Sequence, residues 1–259
     1  MYPRLAGSRV LVTGAASGIG AATARVFAQA GADVVLAWFP GDPHDPEPVR
    51  GAVEEAGRRA IVCDCDVRDA DQVDALVERC VSEFGRVDVA VANAGIARTV
   101  PLEQLDDKAW YETLDVDLTG AWRVFRAALP HMRAAGYGRL IATSSVAGTV
   151  SCWPQHPHYA AAKAGLVGLV YNLAVDYGPD GITANAVAPG VVESPQSLDP
   201  VNSLGPEGVA ATAPKVPVRR VGQPEDIAYL YLYLASEEAG YVSGQLIVAD
   251  GARALAGLD

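Results

Sequence analysis

Residues 8–20 read SRVLVTGAASGIG, and this stretch decides the fold. Ser8–Val12 is a short apolar run typical of a buried strand, and an alanine-rich, helix-like segment follows the turn. Gly14, Gly18 and Gly20 permit a tight turn, a close approach of the backbone to a bound group, and close packing of helix on strand. Free N–H groups at the helix start then face an anion such as a pyrophosphate. The order predicts a phosphate-binding turn; a glycine-rich loop without a ligand is the alternative.

Strands and helices alternate along the rest of the chain. We predict further strands at Asp33–Phe39, Arg59–Asp64, Val87–Ala92, Gly138–Ser144, Ile182–Ala188 and Gln245–Ala249. We predict helices up to about Ala30 and at Val49–Ala56, Ala70–Phe84, Asp106–Arg133, from Pro157 onward, and at Pro224–Ala235. Pro40–Pro48 is predicted to be a surface loop, and the stretch from Pro189 to about Pro217 to be flexible. The alternation is typical of an α/β protein with a parallel sheet between helices, and no linker divides residues 1–259, so we predict a single domain.

Composition limits the location and the partners of the protein. Of the 259 residues 50% are hydrophobic, yet no apolar run approaches the length that spans a bilayer, and residues 1–4 do not open a signal peptide. We therefore expect a soluble, cytoplasmic protein without membrane contact. The formal net charge of −11 argues against a nucleic-acid partner, because binding to a phosphate backbone needs a concentrated basic patch.

The four cysteines are too few and too scattered for a disulfide framework in a chain of this length. Cys63 and Cys65 share one face at strand spacing, but no neighbouring Cys or His completes a ligand set. We expect buried, reduced thiols and no metal site.

Tyr159 and Lys163 lie four residues apart, just after Pro157, which suits the first turn of a helix. At this spacing both side chains share one helix face. A phenol has a reference pKa of about 10, and a nearby ammonium favours the phenolate, so such a pair can exchange a proton near neutral pH. Tyr-x-x-x-Lys is a common pattern, however, and a half-buried aromatic beside a solvated lysine is the alternative.

Polar and small residues follow two of the predicted strands, at the edge where ligands of parallel sheets bind. Asp66 follows the third strand and can accept a hydrogen bond from an adenine amino group. Asn93-Ala94-Gly95 follows the fourth, where the glycine would let the backbone pass close to a ribose. Ordinary turn chemistry is the alternative for both.

In combination, these residues resemble the short-chain dehydrogenase/reductase family in its single-domain form, over nearly the whole chain. The resemblance rests on motifs in a fixed order: Thr13-Gly14-x-x-x-Gly18-x-Gly20, Asp66, Asn93-Ala94-Gly95, Ser145, Tyr159-x-x-x-Lys163, Pro189-Gly190, and Gly244-Gln245 through Asp250-Gly251. It implies a three-layer, Rossmann-like, doubly wound parallel sheet of about seven strands, with NAD or NADP laid across the strand ends.

The resemblance also implies hydride transfer between the nicotinamide and a secondary alcohol or ketone. Tyr159 would exchange a proton with the substrate oxygen, Ser145 would hydrogen-bond that oxygen, and Lys163 would hold the ribose hydroxyls and favour the phenolate. The implied cofactor contacts are Thr13, Gly14, Ser17, Gly18, Ile19, Gly20, Trp38, Asp66, Val67, Asn93, Ala94, Gly95, Tyr159, Lys163, Pro189, Gly190, Val192 and Ser194.

One departure from the family concerns catalysis. Asp117, in Val116-Asp117-Leu118-Thr119-Gly120, stands where relatives often carry an asparagine whose backbone distorts locally and orders water leading to the lysine. A carboxylate near Lys163 favours the ammonium and can change the proton path. We therefore count Asp117 among the catalytic candidates and expect retained activity with a shifted pH profile. The alternative is a nucleotide-binding protein that has lost catalysis, but a mere binder does not need Ser145, Tyr159 and Lys163 together.

A second departure concerns the cofactor. Trp38 stands where relatives that prefer NAD usually carry an aspartate for the ribose 2′-hydroxyl. NADP needs a cation instead, but Ser17 stands where some NADP users carry arginine, and Asp42, Asp45 and Glu47 follow. The choice between NAD and NADP therefore stays open at the level of sequence.

The substrate pocket is predicted around Ser145, Trp153, His156 and Tyr159, with contributions from His158 and from residues 195–216. The resemblance suggests a homotetramer, with the long helix and the Tyr159 helix at one interface and the last strand at another.

Overall fold

A computed structural model describes residues 5–256, within which seven strands form one parallel sheet. The strands are β1 (Arg9–Thr13), β2 (Asp33–Trp38), β3 (Ala60–Asp64), β4 (Val89–Ala92), β5 (Gly138–Thr143), β6 (Ile182–Pro189) and β7 (Gln245–Ala249). Their order is β3-β2-β1-β4-β5-β6-β7, so the direction of winding reverses between β1 and β4. Ligands of open parallel sheets bind in the crevice at such a reversal. The predicted three-layer, doubly wound fold is confirmed.

Helices cover both faces of the sheet. They are α1 (Gly18–Gln29), α2 (Glu47–Glu55), α3 (Ala70–Phe84), α4 (Asp107–Leu114), α5 (Gly120–Ala135), α6 (Pro157–Tyr177), α7 (Pro195–Leu198), α8 (Gly205–Thr212) and α9 (Pro224–Ala235). Short 3₁₀ turns lie at Leu102–Gln104, Gly178–Asp180, Ala213–Lys215 and Arg253–Leu255. None of the helices in residues 5–256 combines the length and hydrophobicity that a bilayer crossing requires.

The central strands are apolar on both faces because each face is covered by helices. In β1, Leu11 packs with α3, α5 and α6, while Val10 and Val12 pack on the other side with α1 and α9. Phe27 on α1 is fully buried, and burial of such a side chain contributes about 1.5–3 kcal/mol to stability. Two continuous hydrophobic cores thus hold the sheet, whose carboxyl edge carries the site.

The helix predicted at 106–133 is interrupted. A π-helical segment, Asp115–Thr119, separates α4 from α5 and buries Asp117. Such a wide turn adds a residue without disturbing the apolar spacing on either side, so periodicity alone does not reveal it. Of the apolar residues predicted along this helix, Phe125 lies in the core, whereas Trp122 is 43% exposed.

The prediction that the stretch up to Pro217 is merely flexible was wrong. It contains α7, α8 and a 3₁₀ turn, and its base is closed by pairing of Val192 with Gly222. Glu193 N–H donates to Gly222 O, and Gly222 N–H donates to Val191 O, both at 2.9 Å. We call residues 193–221 the 193–221 segment. Similarly, the predicted loop Pro40–Pro48 ends early, because α2 begins at Glu47.

Candidate active site

The end of β5 supplies two adjacent serines with different surroundings. Ser144 Oγ donates to the Lys163 carbonyl oxygen at 2.8 Å, which fixes α6 to the strand. Ser145 is also buried, and its Oγ accepts a hydrogen bond from Ala147 N–H at 3.1 Å. The Ser145 hydroxyl proton has no acceptor among residues 5–256, so this serine retains a donor for a bound oxygen atom.

Tyr159 and Lys163 lie on the first two turns of α6, as their spacing predicts. Pro157 occupies the first turn, where a missing N–H costs nothing. The Lys163 Nζ lies 5.4 Å from the centre of the Tyr159 ring and donates to the Thr143 carbonyl oxygen at 3.0 Å. Both side chains are buried, so the ammonium acts on the phenol with little screening by water.

Asp117 reaches the same ammonium from the π-helical segment. Its Oδ2 lies 3.1 Å from Lys163 Nζ, and its Oδ1 accepts from Ile96 N–H at 2.8 Å. The side chains of Asp117 and Lys163 are 0% and 4% exposed, so this is a buried ion pair. A Cβ added at Gly95 would lie 3.1 Å from Nζ and 3.2 Å from Oδ2, so a larger residue there would press on the pair.

Burial and charge act in opposite directions on this pair. Burial raises the pKa of the Asp117 carboxyl, and this outweighs the lowering that Lys163 produces. Burial alone would lower the pKa of Lys163, but the charges of Asp117 and Tyr159 outweigh it, and the pKa of Lys163 is raised. The lysine therefore holds its proton more firmly than a free lysine does.

The loop after Ser145 packs directly on the start of α6. Gly148 has a φ of +89°, and a Cβ at this position would overlap the carbonyl of Ala160, next to Tyr159. A side chain is therefore excluded on two grounds, conformation and space. This glycine, which sequence reasoning missed, sets the separation of the serine loop from the tyrosine helix.

The backbone of the glycine turn packs closely against neighbouring residues. Gly14 has a φ of +63°, and a Cβ there would lie 3.0 Å from Ala94 Cα, so β1 and β4 approach closely at the reversal of the sheet. The Asn93 Nδ2 donates to the carbonyl oxygens of Thr13 and Gly14, at 3.0 and 3.3 Å. A Cβ at Gly18 would lie 3.3 Å from Ser194 Cβ, which brings the start of the 193–221 segment against the turn. Side chains are therefore excluded from both glycine positions, and the backbone of the turn lies directly before the N-terminus of α1, where an anion is favoured.

At the predicted adenosine end, Asp66 is already paired. Arg68 donates to both Asp66 carboxylate oxygens, at 2.7–3.0 Å, and this hydrogen bonding lowers the pKa of Asp66 against the effect of burial. Val67, its neighbour, is buried. Trp38 is half-buried, and its Nε1 is buried without a hydrogen-bond partner in the part of the chain that the structure describes. A buried donor without an acceptor fits a ribose hydroxyl better than it fits a packed core.

Trp38 also borders a cavity of about 460 Å³. The residues that line it are Trp38, Asp42, Pro43, His44, Asp45, Pro46, Glu47, Val62 and Asp64. Four of these carry carboxylates, and the His44 ring is tied to Asp42. The region beyond the end of β2 is therefore acidic.

Two aromatic rings, those of Trp153 and His156, pack beside Tyr159, and we call them the aromatic wall. Trp153 stacks on His156 with ring centres 3.7 Å apart and meets Tyr159 edge-on at 5.5 Å. Tyr159 also clusters with the buried Ala97 and Ala147. Three of the predicted pocket residues, Trp153, His156 and Tyr159, thus lie together, and the Trp153 ring presents an apolar surface next to Tyr159.

His158 and the cysteines lie apart from this wall. His158 is 0% exposed, and burial lowers its pKa. Cys65 is buried as expected, with its pKa raised to about 12 by burial, whereas Cys63 is only half-buried. Both pack on the same core, which confirms that they share a face. In residues 5–256 no group of three His, Cys, Asp or Glu side chains is placed to hold a metal.

Comparisons with known proteins agree with this arrangement. A family model described as enoyl-(acyl carrier protein) reductase matches residues 14–252. Cis-4-hydroxycyclohexanecarboxylate dehydrogenase of Sinomonas cyclohexanicum is 43% identical, over 93% of this chain and 94% of its own. 3β-Hydroxysteroid dehydrogenase 1 of Eggerthella lenta is 38% identical, over 98% of this chain and 97% of its own. The crystal structure of carveol dehydrogenase from Mycobacterium avium in complex with NAD is 33% identical, with a TM-score of 0.90 over 98% of this chain and 99% of that one.

Proposed function

The chain belongs to the short-chain dehydrogenase/reductase family, and from this premise we propose that it oxidises a secondary alcohol carried by a non-aromatic carbon ring, or reduces the matching ketone. It is an NAD(P)-dependent oxidoreductase of alcohols and ketones. The observation that carries the narrower proposal is the flat apolar wall of Trp153 beside Tyr159. The three relatives support it, since their names specify a hydroxycyclohexane, a hydroxysteroid and carveol.

Three side chains divide the work on the substrate. Tyr159 is the acid in reduction and the base in oxidation, because its phenol can exchange a proton with the substrate oxygen and lies beside the buried ammonium of Lys163. Ser145 donates its free hydroxyl proton to the substrate oxygen and steadies the charge that develops there. Lys163 is held by Thr143 and Asp117, so its charge is fixed in position.

NAD(P) supplies the hydride donor or acceptor when it is bound. The backbone N–H groups of the glycine turn, at Gly14 and Gly18, and of the N-terminus of α1 would hold its phosphates. We assign the remaining contacts to the positions that the family motifs give, including the unpaired indole N–H of Trp38 for a ribose. Asp66, whose carboxylate Arg68 already engages, would reach an adenine amino group only with a remaining lone pair.

The alternative hypothesis, a nucleotide-binding protein that has lost catalysis, has less support than the enzyme hypothesis. Asp117 does not displace Lys163 from the site; it pairs with it, and the ammonium stays beside Tyr159. A protein that only binds nucleotides does not need Ser145, Tyr159 and Lys163 together, so their presence supports the catalytic hypothesis.

The substrate class is tested by following the absorbance of reduced nicotinamide with three groups of alcohols. We expect turnover with cyclohexanol and its 4-substituted derivatives, and kcat/KM at least about tenfold lower with acyclic secondary alcohols such as 2-butanol. Tyr159→Phe serves as the inactive control for each substrate. Equal kcat/KM for cyclic and acyclic alcohols would contradict the ring preference without contradicting the reaction type.

We also propose a cytoplasmic homotetramer. Its support is the exposed apolar surface of the expected interfaces: Trp122 and Tyr171 on α5 and α6, and Val248 on the edge strand β7, are 39–47% exposed. The four cysteines are all free, as in proteins of reducing compartments. Light scattering on the purified enzyme checks the mass, and Trp122→Glu should halve it if α5 forms an interface.

A further inference from the structure

His156 joins three separate parts of the pocket. It is 2% exposed, and its Nδ1 lies 2.8 Å from the Pro154 carbonyl oxygen, in its own loop. Its Nε2 lies 3.3 Å from the hydroxyl of Thr99, which follows β4, and 3.2 Å from the carbonyl oxygen of Asn202, in the 193–221 segment. A buried side chain with three polar partners on three segments is placed as a connection between them.

We propose that His156 is a positioning residue through which the 193–221 segment sets the orientation of Trp153, and thereby the size of ring that the pocket accepts. This inference rests on the proposed function, because it concerns the same aromatic wall. His156 contacts no reacting atom in the proposal; it acts through Trp153 and through the segment.

The stack between the two rings transmits the position of His156 to the wall. The ring planes differ by only 11°, with centres 3.7 Å apart, so a shift of His156 moves or uncovers the face of Trp153. Trp153 in turn meets Tyr159 edge-on at 5.5 Å. A displaced Trp153 would therefore change the space beside the phenol while leaving the phenol on α6.

Hydrogen bonds within the 193–221 segment orient the carbonyl group of Asn202. Asp199 Oδ1 accepts from the N–H groups of Val201 and Asn202, at 2.8 and 3.2 Å, and Asp199 Oδ2 accepts from Asn202 Nδ2 at 2.9 Å. These bonds hold residues 199–202 in a turn. The turn places the carbonyl at His156, some 46 positions earlier in the chain.

The base of the segment lies elsewhere, at the pairing of Val192 with Gly222. The segment is also anchored by buried residues such as Val209 and Val216, so loss of the His156 contact should loosen only the turn at residues 199–202. Ring substrates that pack on Trp153 should lose binding, whereas a small ketone that needs only Ser145 and Tyr159 should lose less.

The first experiment compares His156→Asn, His156→Phe and a control, His131→Asn, on the far side of α5 where the imidazole meets Glu78. A neutral imidazole donates from one ring nitrogen only, and donation to the Asn202 carbonyl oxygen needs the proton on Nε2. The asparagine amide is too short to reach Asn202, and phenylalanine keeps an aromatic ring for the stack but has no polar atom. For a 4-substituted cyclohexanone we expect KM to rise about three- to tenfold in both variants, because both lose the contact with Asn202 that positions Trp153. We expect a smaller rise in KM with 2-butanone, and His131→Asn should leave all kinetic constants within about twofold of the wild type. Unchanged KM for the ring ketone, or an equal loss with both ketones, would overturn the proposal.

A double-mutant cycle approaches the same contact from the surface. Asp199→Ala disrupts the turn without touching the core, so it should raise the KM for the ring ketone in the same way as His156→Asn. Because both changes break one connection, the double variant should be no worse than the weaker-binding single variant. If the two KM effects multiply, the residues act independently and the proposal fails. Failure of the wild type to reduce any ring ketone would instead contradict the proposed function, so the two failures are distinguishable.

Discussion

The Asp117 carboxylate and the Lys163 ammonium form a buried ion pair in the floor of the site, with Oδ2 3.1 Å from Nζ. The carboxylate offsets part of the charge that Lys163 exerts on Tyr159, and it also raises the pKa of Lys163. An amide at this position would do neither. Asp117, which departs from the family pattern, thus affects both the charge that acts on Tyr159 and the pKa of Lys163.

Asp117→Asn should move the pH profile of alcohol oxidation to lower pH. Without the carboxylate, burial dominates the pKa of Lys163 and lowers it, so the fall of the rate at alkaline pH should begin earlier. We expect kcat at the optimum to stay within about tenfold of the wild type. Initial rates from pH 5 to 11 measure both limbs.

Asp115→Asn is the matched control, because Asp115 lies in the same π-helical segment but is half-exposed and pairs with Arg123. It should leave both limbs in place. An unchanged profile in Asp117→Asn would contradict the charge argument. Asp117→Ala, which leaves a buried ammonium without a counter-charge, should lower the free energy of unfolding by about 3–5 kcal/mol.

Tyr159→Phe should lower kcat by about 10²- to 10⁴-fold, the usual contribution of a positioned acid or base. Cofactor binding, measured by fluorescence of the reduced nicotinamide, should stay close to that of the wild type because the ring and its packing remain. Tyr171→Phe, on the exposed side of the same helix, should change neither quantity. Reduction at the normal rate by Tyr159→Phe would refute the mechanism.

The two adjacent serines should separate catalysis from stability. Ser145→Ala should lower kcat by about 10²- to 10³-fold, because the substrate oxygen loses a donor. Ser144→Ala loses its bond to the Lys163 carbonyl oxygen, so it should lower the free energy of unfolding by about 1 kcal/mol. Kinetics and thermal melts on both variants give the comparison, and equal behaviour of the two would refute the assignment.

NAD should be preferred to NADP. The cavity beside Trp38 is lined by Asp42, Asp45, Glu47 and Asp64, which would repel a 2′-phosphate. Arg68 is the nearby cation, but Asp66 engages it from both carboxylate oxygens. We expect kcat/KM for NAD to exceed that for NADP by at least about tenfold, a difference of 1.4 kcal/mol. Equal values for the two cofactors would show that this acidic lining does not reach the ribose.

Arg98 should assist substrates that carry a carboxylate. It is exposed, and it forms no ion pair within the described residues. Hydrogen bonding by Asn202 chiefly lowers the pKa of Asp199 and burial chiefly raises that of Asp117, and the Arg98 charge adds a smaller lowering to both. Arg98→Ala should therefore raise the KM for cis-4-hydroxycyclohexanecarboxylate about tenfold and leave that for cyclohexanol unchanged. Arg25→Ala, on α1, is the control; an equal effect on both alcohols would contradict the role.

Much of the fold could be predicted from the sequence, because the residue patterns that indicate its strands, turns and helices are local. The glycine turn after β1, the apolar runs of the central strands and the capped start of α9 each lie within a few residues. The Tyr159–Lys163 pair is a helix spacing, so its geometry follows from the chain itself. The positions of these residues were predictable without any tertiary contact.

What the sequence could not predict depends on distant contacts or on short elements. The helices α7 and α8 have four and eight residues, too few for a periodic signal. The bond from His156 to Asn202 joins residues that no local pattern connects. The roles of the predicted cofactor contacts stay predictions, since they concern a molecule that the chain alone does not specify.

The pairing of Val192 with Gly222 has a consequence for evolution and for engineering. Both ends of the 193–221 segment meet at one point, so a change in its length costs little loop-closure entropy. Ser145, Tyr159, Lys163 and Asp117 all lie outside it, whereas Ser194 and the buried Val209 and Val216 lie within it. New substrate ranges can therefore be sampled by varying the length of the segment between these anchors while the groups assigned to proton transfer stay in place.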